Sequence, residues 1–370
     1  MKRFGRVILA AVVANAVATP IPAAPAAAAG KSAVHRNVSR FRGVPTFANS
    51  TLADIGTFDD PIVRAAAVEG LGRYNGAIVA VDPNTGRVLT VVNQKVAFGS
   101  GYIPCSTIKP TIAVAALEEN VITRDTMLKV RGRNKYMNLT EALAHSNNEF
   151  FEQLGVRMGF DTVSRYARLL GLGELAGYNL PEEHPGSFPM APPAHGGVAR
   201  MSSFGEGIQI TPFQLVSLAA AFANGGTLYY LQYPRTPEEI QAFAPRVKRD
   251  LNIAPVLPEI REGMLAAVLY GTGKRSFDAG GEEMPLGKTG TCNDPTSRVG
   301  WFVTYADEAH PKIALAVLLR GSSRQVVGPT AAQVAGRIYR RLREQNYFAT
   351  ATAPNDTMKP VTVVDTGNGR

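Results

Sequence analysis

The 370-residue sequence predicts an α/β (α+β) fold: a five-stranded antiparallel sheet with terminal helices on one face and a large all-helical insert on the other. Three observations lead there. Two β-branched runs stand near the start of the chain and three strand-like runs near its end. The stretch between them, from 104 to about 278, carries helical periodicity. The domain opens on a helix and closes on an amphipathic one, and these terminal helices would cover one face of the sheet.

The elements follow in order. Lys2, Arg3 and Arg6 form a basic start, 7–17 is a short apolar run interrupted by Asn15, and 22–29 offers small-residue cleavage sites. Residues 1–29 therefore read as an export signal, expected to be cleaved. The apolar run is shorter than the roughly 18 residues of a membrane-spanning helix, and a retained N-terminal membrane anchor is the alternative. Residues 30–59 are polar without periodicity and are predicted to be a poorly ordered leader. A helix is predicted over 61–71, opened by Asp60 as cap with Pro61 at its first position. The runs 77–81 and 88–92 flank Asp82-Pro83-Asn84-Thr85-Gly86, which is turn chemistry, so they form a hairpin. Helices are predicted over 107–118, 139–158, 160–170, 212–223 and 259–269. Strands follow over 286–292, 300–306 and 312–319, then a closing helix over 330–343. These elements make one domain over 60–345, and the polar residues 346–370 are predicted to be a disordered tail.

Composition narrows the function classes. Apolar residues make up 45%, a globular proportion. The net charge is +9, of which the signal contributes three, leaving +6. Lys and Arg are dispersed, and their densest cluster, 337–343, lies on a predicted helix without interleaved aromatics, so no nucleic-acid partner is expected. The five histidines are scattered and the two cysteines far apart in sequence, so neither a metal nor another cofactor is expected. Gly271-Thr272-Gly273 is followed by a lysine but lacks phosphate-loop spacing.

Three short motifs occur once each and in this order: Ser106-Thr107-Ile108-Lys109, Ser146-Asn147-Asn148 and Lys288-Thr289-Gly290. With Ser106 at the start of a helix, Lys109 lies one turn on and on the same face, within reach of the hydroxyl. A serine hydroxyl is a weak nucleophile until a base takes its proton. Lysine can be that base only if burial or a second cation lowers its pKa.

This ordered set resembles the motifs of penicillin-binding proteins and serine β-lactamases. Further landmarks resemble the transpeptidase domain of penicillin-binding proteins, from about Tyr74 to Arg340. They are Asp82-Pro83-Asn84-Thr85-Gly86-Arg87-Val88-Leu89, Ala115-Ala116-Leu117-Glu118, Phe204-Gly205-Glu206-Gly207 with Thr211-Pro212-Phe213-Gln214, Ala223-Asn224-Gly225-Gly226, and the Gly271-Thr272-Gly273 already noted. No long N-terminal pedestal or glycosyltransferase domain is seen, so the chain is expected to be a transpeptidase domain standing alone. The export signal predicts a periplasmic or extracytoplasmic protein, and the resemblance implies a serine acyltransferase. Its substrates would be peptidoglycan stem peptides ending in D-Ala-D-Ala, its inhibitors β-lactams, and cell-wall synthesis machinery is a further candidate partner. Oligomeric state stays open.

The resemblance also implies roles. Ser106 is the nucleophile, Lys109 its base and Lys288 the second cation. Ser146 relays a proton to the leaving group, and Asn148 hydrogen-bonds Lys109 and the substrate amide. Lys288, Thr289, Gly290 and Thr291 line the substrate site, the lysine and the two threonines binding the terminal carboxylate. The backbone N–H groups of Ser106 and Thr291 form the oxyanion hole. If those N–H groups converge, Cys105 and Cys292 come within disulfide spacing. The same relative positions are bridged in class A β-lactamases that hydrolyse carbapenems; two buried free thiols are the alternative.

Within the fold, the rivals are a D,D-carboxypeptidase and a β-lactamase. A class A enzyme would carry Glu-x-x-Leu-Asn to activate water, and no such string occurs, although Glu174, Glu182 and Glu183 lie in about the right stretch. A class D enzyme usually has valine where this chain has Asn148. A non-catalytic β-lactam sensor or peptidoglycan-binding scaffold is the alternative outside enzymes.

Overall fold

The computed structural model describes residues 43–278, 281, 283–306 and 310–349. The expected signal, residues 1–29, lies outside them. Helix α1 (Pro61–Leu71) begins as the sequence predicts, with the Asp60 carboxylate accepting from the N–H groups of Ile62 and Val63. It leads into the hairpin β1 (Gly76–Val81) and β2 (Val88–Val92). The insert then runs through α2 (Gln94–Ala97), a 3₁₀ turn (Cys105–Ile108), α3 (Lys109–Glu118), β3 (Leu128–Lys129), β4 (Tyr136–Met137), α4 (Leu139–Ala144) and α5 (Asn148–Leu169). It continues with α6 (Gly197–Phe204), α7 (Pro212–Ala223), β5 (Thr227–Tyr229), α8 (Pro237–Gln241), β6 (Val247–Asp250) and α9 (Leu257–Leu269). The chain closes with β7 (Pro285–Asn293), β8 (Arg298–Ala306), β9 (Ile313–Gly321) and α10 (Gly328–Glu344).

The five long strands form one antiparallel sheet in the order β2-β1-β9-β8-β7. Its strands are apolar along almost their whole length because both faces are covered. Ala77, Val79 and Val81 of β1 pack with the insert, while Ile78 and Ala80 pack with α1 and α10. Ala331, Ala335, Ile338 and Leu342 recur at helical spacing on α10 and are buried against that second face. Since β7 has a neighbour on one side only, its free edge borders the insert.

Four expectations need correction. The insert is not all-helical: β3 pairs with β4 and β5 with β6 in two small ladders, too short for a period-2 pattern to register. The helix predicted over 139–158 is broken after Ala144, because Ser146 adopts a left-handed backbone and Asn147 caps a new helix through Phe150 N–H. Residues 43–59 are no loose leader. Asp54 accepts from the N–H groups of Asn93 and Gln94 at 2.8 Å each. Buried Asp59 takes the Arg64 guanidinium at 2.8 Å and the hydroxyls of Thr90 and Tyr233 at 2.6 Å. Apart from the Arg64 contact, these bonds join residues 31 or more positions apart, which periodicity does not register. At the other end Phe348 is buried, and Lys312 Nζ donates to the carbonyls of Phe348 and Ala349, so the tail begins later than 346; residues 350–370 lie outside those described.

Candidate active site

The nucleophile motif sits on a turn held from three directions. Trp301 on β8 donates its indole N–H to Ile103 O at 3.0 Å, and Thr107 Oγ1 donates to Pro104 O at 2.6 Å. Cys105 occupies a left-handed backbone conformation, φ 53°, unusual for a residue with a Cβ. Its side chain is in a disulfide with Cys292 of β7, the two Cα atoms 5.7 Å apart. The strand comes this close because Gly290 has no side chain: a Cβ there would stand 3.0 Å from Pro104 O and 3.2 Å from Cys105 Cβ. Ser106 is half-buried and Lys109 fully buried at the first position of α3.

The second motif meets the first through the break in the predicted helix. The left-handed Ser146, φ 54°, turns both its carbonyl and its hydroxyl toward Lys109. Lys109 Nζ lies 2.7 Å from Ser146 O, 2.7 Å from Asn148 Oδ1, 2.9 Å from Ser106 Oγ and 3.2 Å from Ser146 Oγ. Lys288, from the third motif, donates to Ser146 Oγ at 2.8 Å and to Thr289 O at 3.0 Å. Thus Ser146 stands between the two lysines.

Both amines are buried, and no carboxylate pairs with either among the described residues. Burial, reinforced by the Lys288 charge and opposed by Glu152, pushes Lys109 well below the usual lysine range. Burial brings Lys288 down to about 7. A neutral Lys109 amine has two hydrogens, and the two carbonyl oxygens at 2.7 Å can only accept. Its lone pair is then left for the Ser106 hydroxyl to donate into.

On β7, Thr289 Oγ1 lies 2.6 Å from Thr272 Oγ1, and Thr291 Oγ1 accepts from Gly328 N–H at 2.7 Å at the head of α10. Thr272 was noted only as part of a scaffold landmark. Its neighbour Gly271 lies so close to Ala144 O that a Cβ would stand at 2.2 Å, and Thr272 N–H donates to that same carbonyl at 3.0 Å. This fastens the end of the second motif's helix to the third motif's strand.

The three glutamates considered as water activators are committed elsewhere. Glu183 accepts from the N–H groups of Ala176 and Gly177 at 2.8 and 2.7 Å, Glu174 pairs with Lys248 and Arg249, and Glu182 pairs with Arg235. His145, adjacent to Ser146, is exposed and lies 3.3 Å from Glu141.

A family model describing the penicillin-binding protein transpeptidase domain matches residues 76–342, which contain all three motifs. The chain belongs to this family. It is 28% identical over 294 residues to stage V sporulation protein D of Bacillus subtilis, covering 70% of this chain and 44% of that protein. It is 24% identical over 362 residues to the peptidoglycan D,D-transpeptidase MrdA of Haemophilus influenzae, covering 74% and 54%. The chain therefore spans about half the length of these curated relatives. The fold is that of penicillin-binding protein A from M. tuberculosis, solved as an imipenem acyl-enzyme complex, with TM-score 0.63 and 22% identity over 76% of this chain and 78% of that one. Pseudomonas aeruginosa PBP2, solved with WCK 5153, gives TM-score 0.64 and 22% identity over 77% and 74%.

Proposed function

We propose that this penicillin-binding protein is a serine D,D-transpeptidase that cleaves D-Ala-D-Ala stem peptides through an acyl-enzyme on Ser106, and that β-lactams acylate the same oxygen. The observation that carries the reading is the 2.9 Å approach of the buried, depressed-pKa Lys109 amine to Ser106 Oγ. A neutral amine so placed takes the hydroxyl proton as Oγ attacks the carbonyl of the penultimate D-alanine. The N–H groups of Ser106 and Thr291 stabilise the oxyanion, and losing one such donor costs about 2.7–4 kcal/mol of barrier. The proton then passes by way of Ser146 Oγ, within hydrogen-bond reach of both lysines, to the departing D-alanine amine. Lys288, Thr289 and Thr291 on the Gly290 strand receive the terminal carboxylate, and Asn148 holds Lys109 and the substrate amide. An acceptor amine attacks the ester carbonyl in the second half-reaction; Lys109 takes the proton it sheds and passes it to Ser106 Oγ as that oxygen departs, which restores the serine hydroxyl and the neutral amine.

Commitment of Glu174, Glu182 and Glu183 to other partners supports a slowly hydrolysed acyl-enzyme over β-lactamase turnover. The disulfide and the basic, apolar N-terminus support an extracytoplasmic location, since such bonds persist in oxidising compartments. A labelled penicillin followed by intact mass is the test, with a purified muropeptide donor beside it. A stable adduct on Ser106 and cross-linked products are expected. Rapid loss of the adduct with turnover would replace the reading by a β-lactamase, and tetrapeptide products alone by a carboxypeptidase.

A further inference from the structure

Beside the nucleophile turn, past the end of β7, lies a polar cleft of about 520 Å³ whose lining includes Tyr102, Glu206, Asn293, Asp294 and Arg320. Cys292 pairs with Val299 across the sheet, and Val299 with Arg320. Directly opposed residues project to one face, so Arg320 shares the face of the disulfide and of Ser106, with its Cα about 10 Å from that of Cys292 at the usual strand spacing.

Arg320 is poorly satisfied there. Its side chain is 19% exposed and its guanidinium lies 4.6 Å over the Tyr102 ring. Its polar neighbours are distant: Tyr102 Oη and Thr296 Oγ1 at 3.4 Å and Asp294 Oδ2 at 3.8 Å, while its Nε is buried without a partner. Asp294 is its ion-pair partner only at 3.8 Å, and the closer contacts of that carboxylate go elsewhere: it accepts from Thr296 N–H, Thr296 Oγ1, Ser297 N–H and Ser297 Oγ at 2.6–2.9 Å. The other arginine of the cleft, Arg200, is paired with Glu206 at 3.1 Å. A guanidinium presents a rigid fork of donors suited to a carboxylate, and here that fork has only long contacts.

We infer that this cleft is a subsite for a side-chain carboxylate of the donor peptide, bound by Arg320. The inference rests on the proposed reaction, which places the peptide's terminal carboxylate at Lys288 and Thr289 and its reacting carbonyl at Ser106. The rest of the peptide then leaves along β7 toward Cys292 and Asn293. At about 3.3 Å per residue, the residue before the two D-alanines arrives beside the cleft. The preferred stem peptide carries there a long side chain ending in a free carboxylate.

Two matched peptide donors test this, identical except that this side chain ends in a carboxylate in one and a carboxamide in the other. Acylation of Ser106 in the full chain is followed by intact mass. The wild type is expected to favour the carboxylate donor about tenfold or more in kcat/KM, with the preference shrinking as salt rises. In Arg320→Gln the ratio is expected to approach one while benzylpenicillin labelling is unchanged. Equal rates for the two donors in the wild type overturn the inference whether or not the variant folds, as does a ratio that survives Arg320→Gln. A wild-type chain that takes no benzylpenicillin sinks the acyltransferase reading itself, and the subsite with it.

Discussion

Lys109 and Lys288 converge on one oxygen: their Nζ atoms lie 3.2 and 2.8 Å from Ser146 Oγ. Two fully buried amines sharing an acceptor cannot both hold a proton without strong repulsion, so their titrations are linked. This pair and its two flanking serines set most of the expected behaviour below.

Acylation by penicillin is expected to rise with pH as Lys109 loses its proton and to fall above about 7 as Lys288 loses the charge that receives the carboxylate. Ser106→Ala is expected to abolish the adduct without unfolding the protein, and Lys109→Ala to slow acylation by about 10²–10⁴. Lys288→Ala should act mainly on carboxylate recognition. Second-order acylation rates from pH 5 to 9.5 check this; a flat profile, or equal and mild effects from both lysine variants, contradicts the assignment.

Stability should carry the same signature with a definite sign. Lys288 titrates at about 7 when folded and near 10.4 when unfolded, so between these values the unfolded chain binds more protons and stability rises with pH. The cost of burying the charge is fully present below about 7 and is gone above the unfolded value. Relative to the wild type, Lys288→Met is therefore expected to be more favourable at pH 6.5 than at pH 9.5, by a difference of a few degrees in Tm. Thermal unfolding of both proteins at the two pH values measures it; a difference of the opposite sign removes the charge-burial account.

The Cys105–Cys292 disulfide closes a loop with a sequence separation of 187 residues. The chain-entropy model assigns such a loop roughly 5 kcal/mol, an upper figure because the unfolded chain is compact. The double variant Cys105→Ser, Cys292→Ser is expected to melt several degrees lower and to be acylated more slowly, since the bond ties the nucleophile turn to the substrate strand. Thermal unfolding and labelling rates, each with and without reductant, test both halves. Uptake of two alkyl groups by denatured, unreduced protein would show that the bond does not form.

Gly290→Ala separates geometry from stability. Its Cβ would press on Pro104 O and on Cys105 and Thr107, forcing β7 away from the turn that carries Ser106. Contacts of 3.0–3.2 Å ask for a shift of a few tenths of an ångström, and a full 1 Å at reacting atoms costs on the order of 10²-fold in rate. Acylation is therefore expected to fall by less than that, on the order of several-fold, while Tm changes by only a few degrees. A rate within twofold of wild type would show that the strand and turn can separate without consequence.

Much of this was legible in the chain. Asp60 before Pro61 placed the start of α1, the Asp82–Gly86 turn placed the hairpin, and Pro212 and Ala223 bound α7 where the periodicity ends. Such features are local: a cap, a turn or an apolar stripe is written within a few consecutive residues. The break at Ser146 had a local signal that the apolar periodicity on both sides masked: Ser146, Asn147 and Asn148 are poor helix formers and good caps. What the sequence did not show is the left-handed Ser146 itself, held by its bonds to Lys109 beside the Asn147 cap. Nor did it show the order of residues 43–59, which depends on Asp54 and Asp59 meeting groups as distant as Tyr233.

By itself, the sequence determined which chemical groups are available: a serine one helical turn from a lysine, a second serine and asparagine, and a lysine on a glycine-bearing strand. Only the tertiary structure decided what those groups are. It buried both lysines with no carboxylate paired to either among the described residues, which depresses them, and closed β7 onto the nucleophile turn through Gly290 and the disulfide. It also left Arg320 under-satisfied beside that turn. A pKa, a close approach and an unmet hydrogen bond depend on distances between residues up to about two hundred positions apart, and chain order alone does not set those distances.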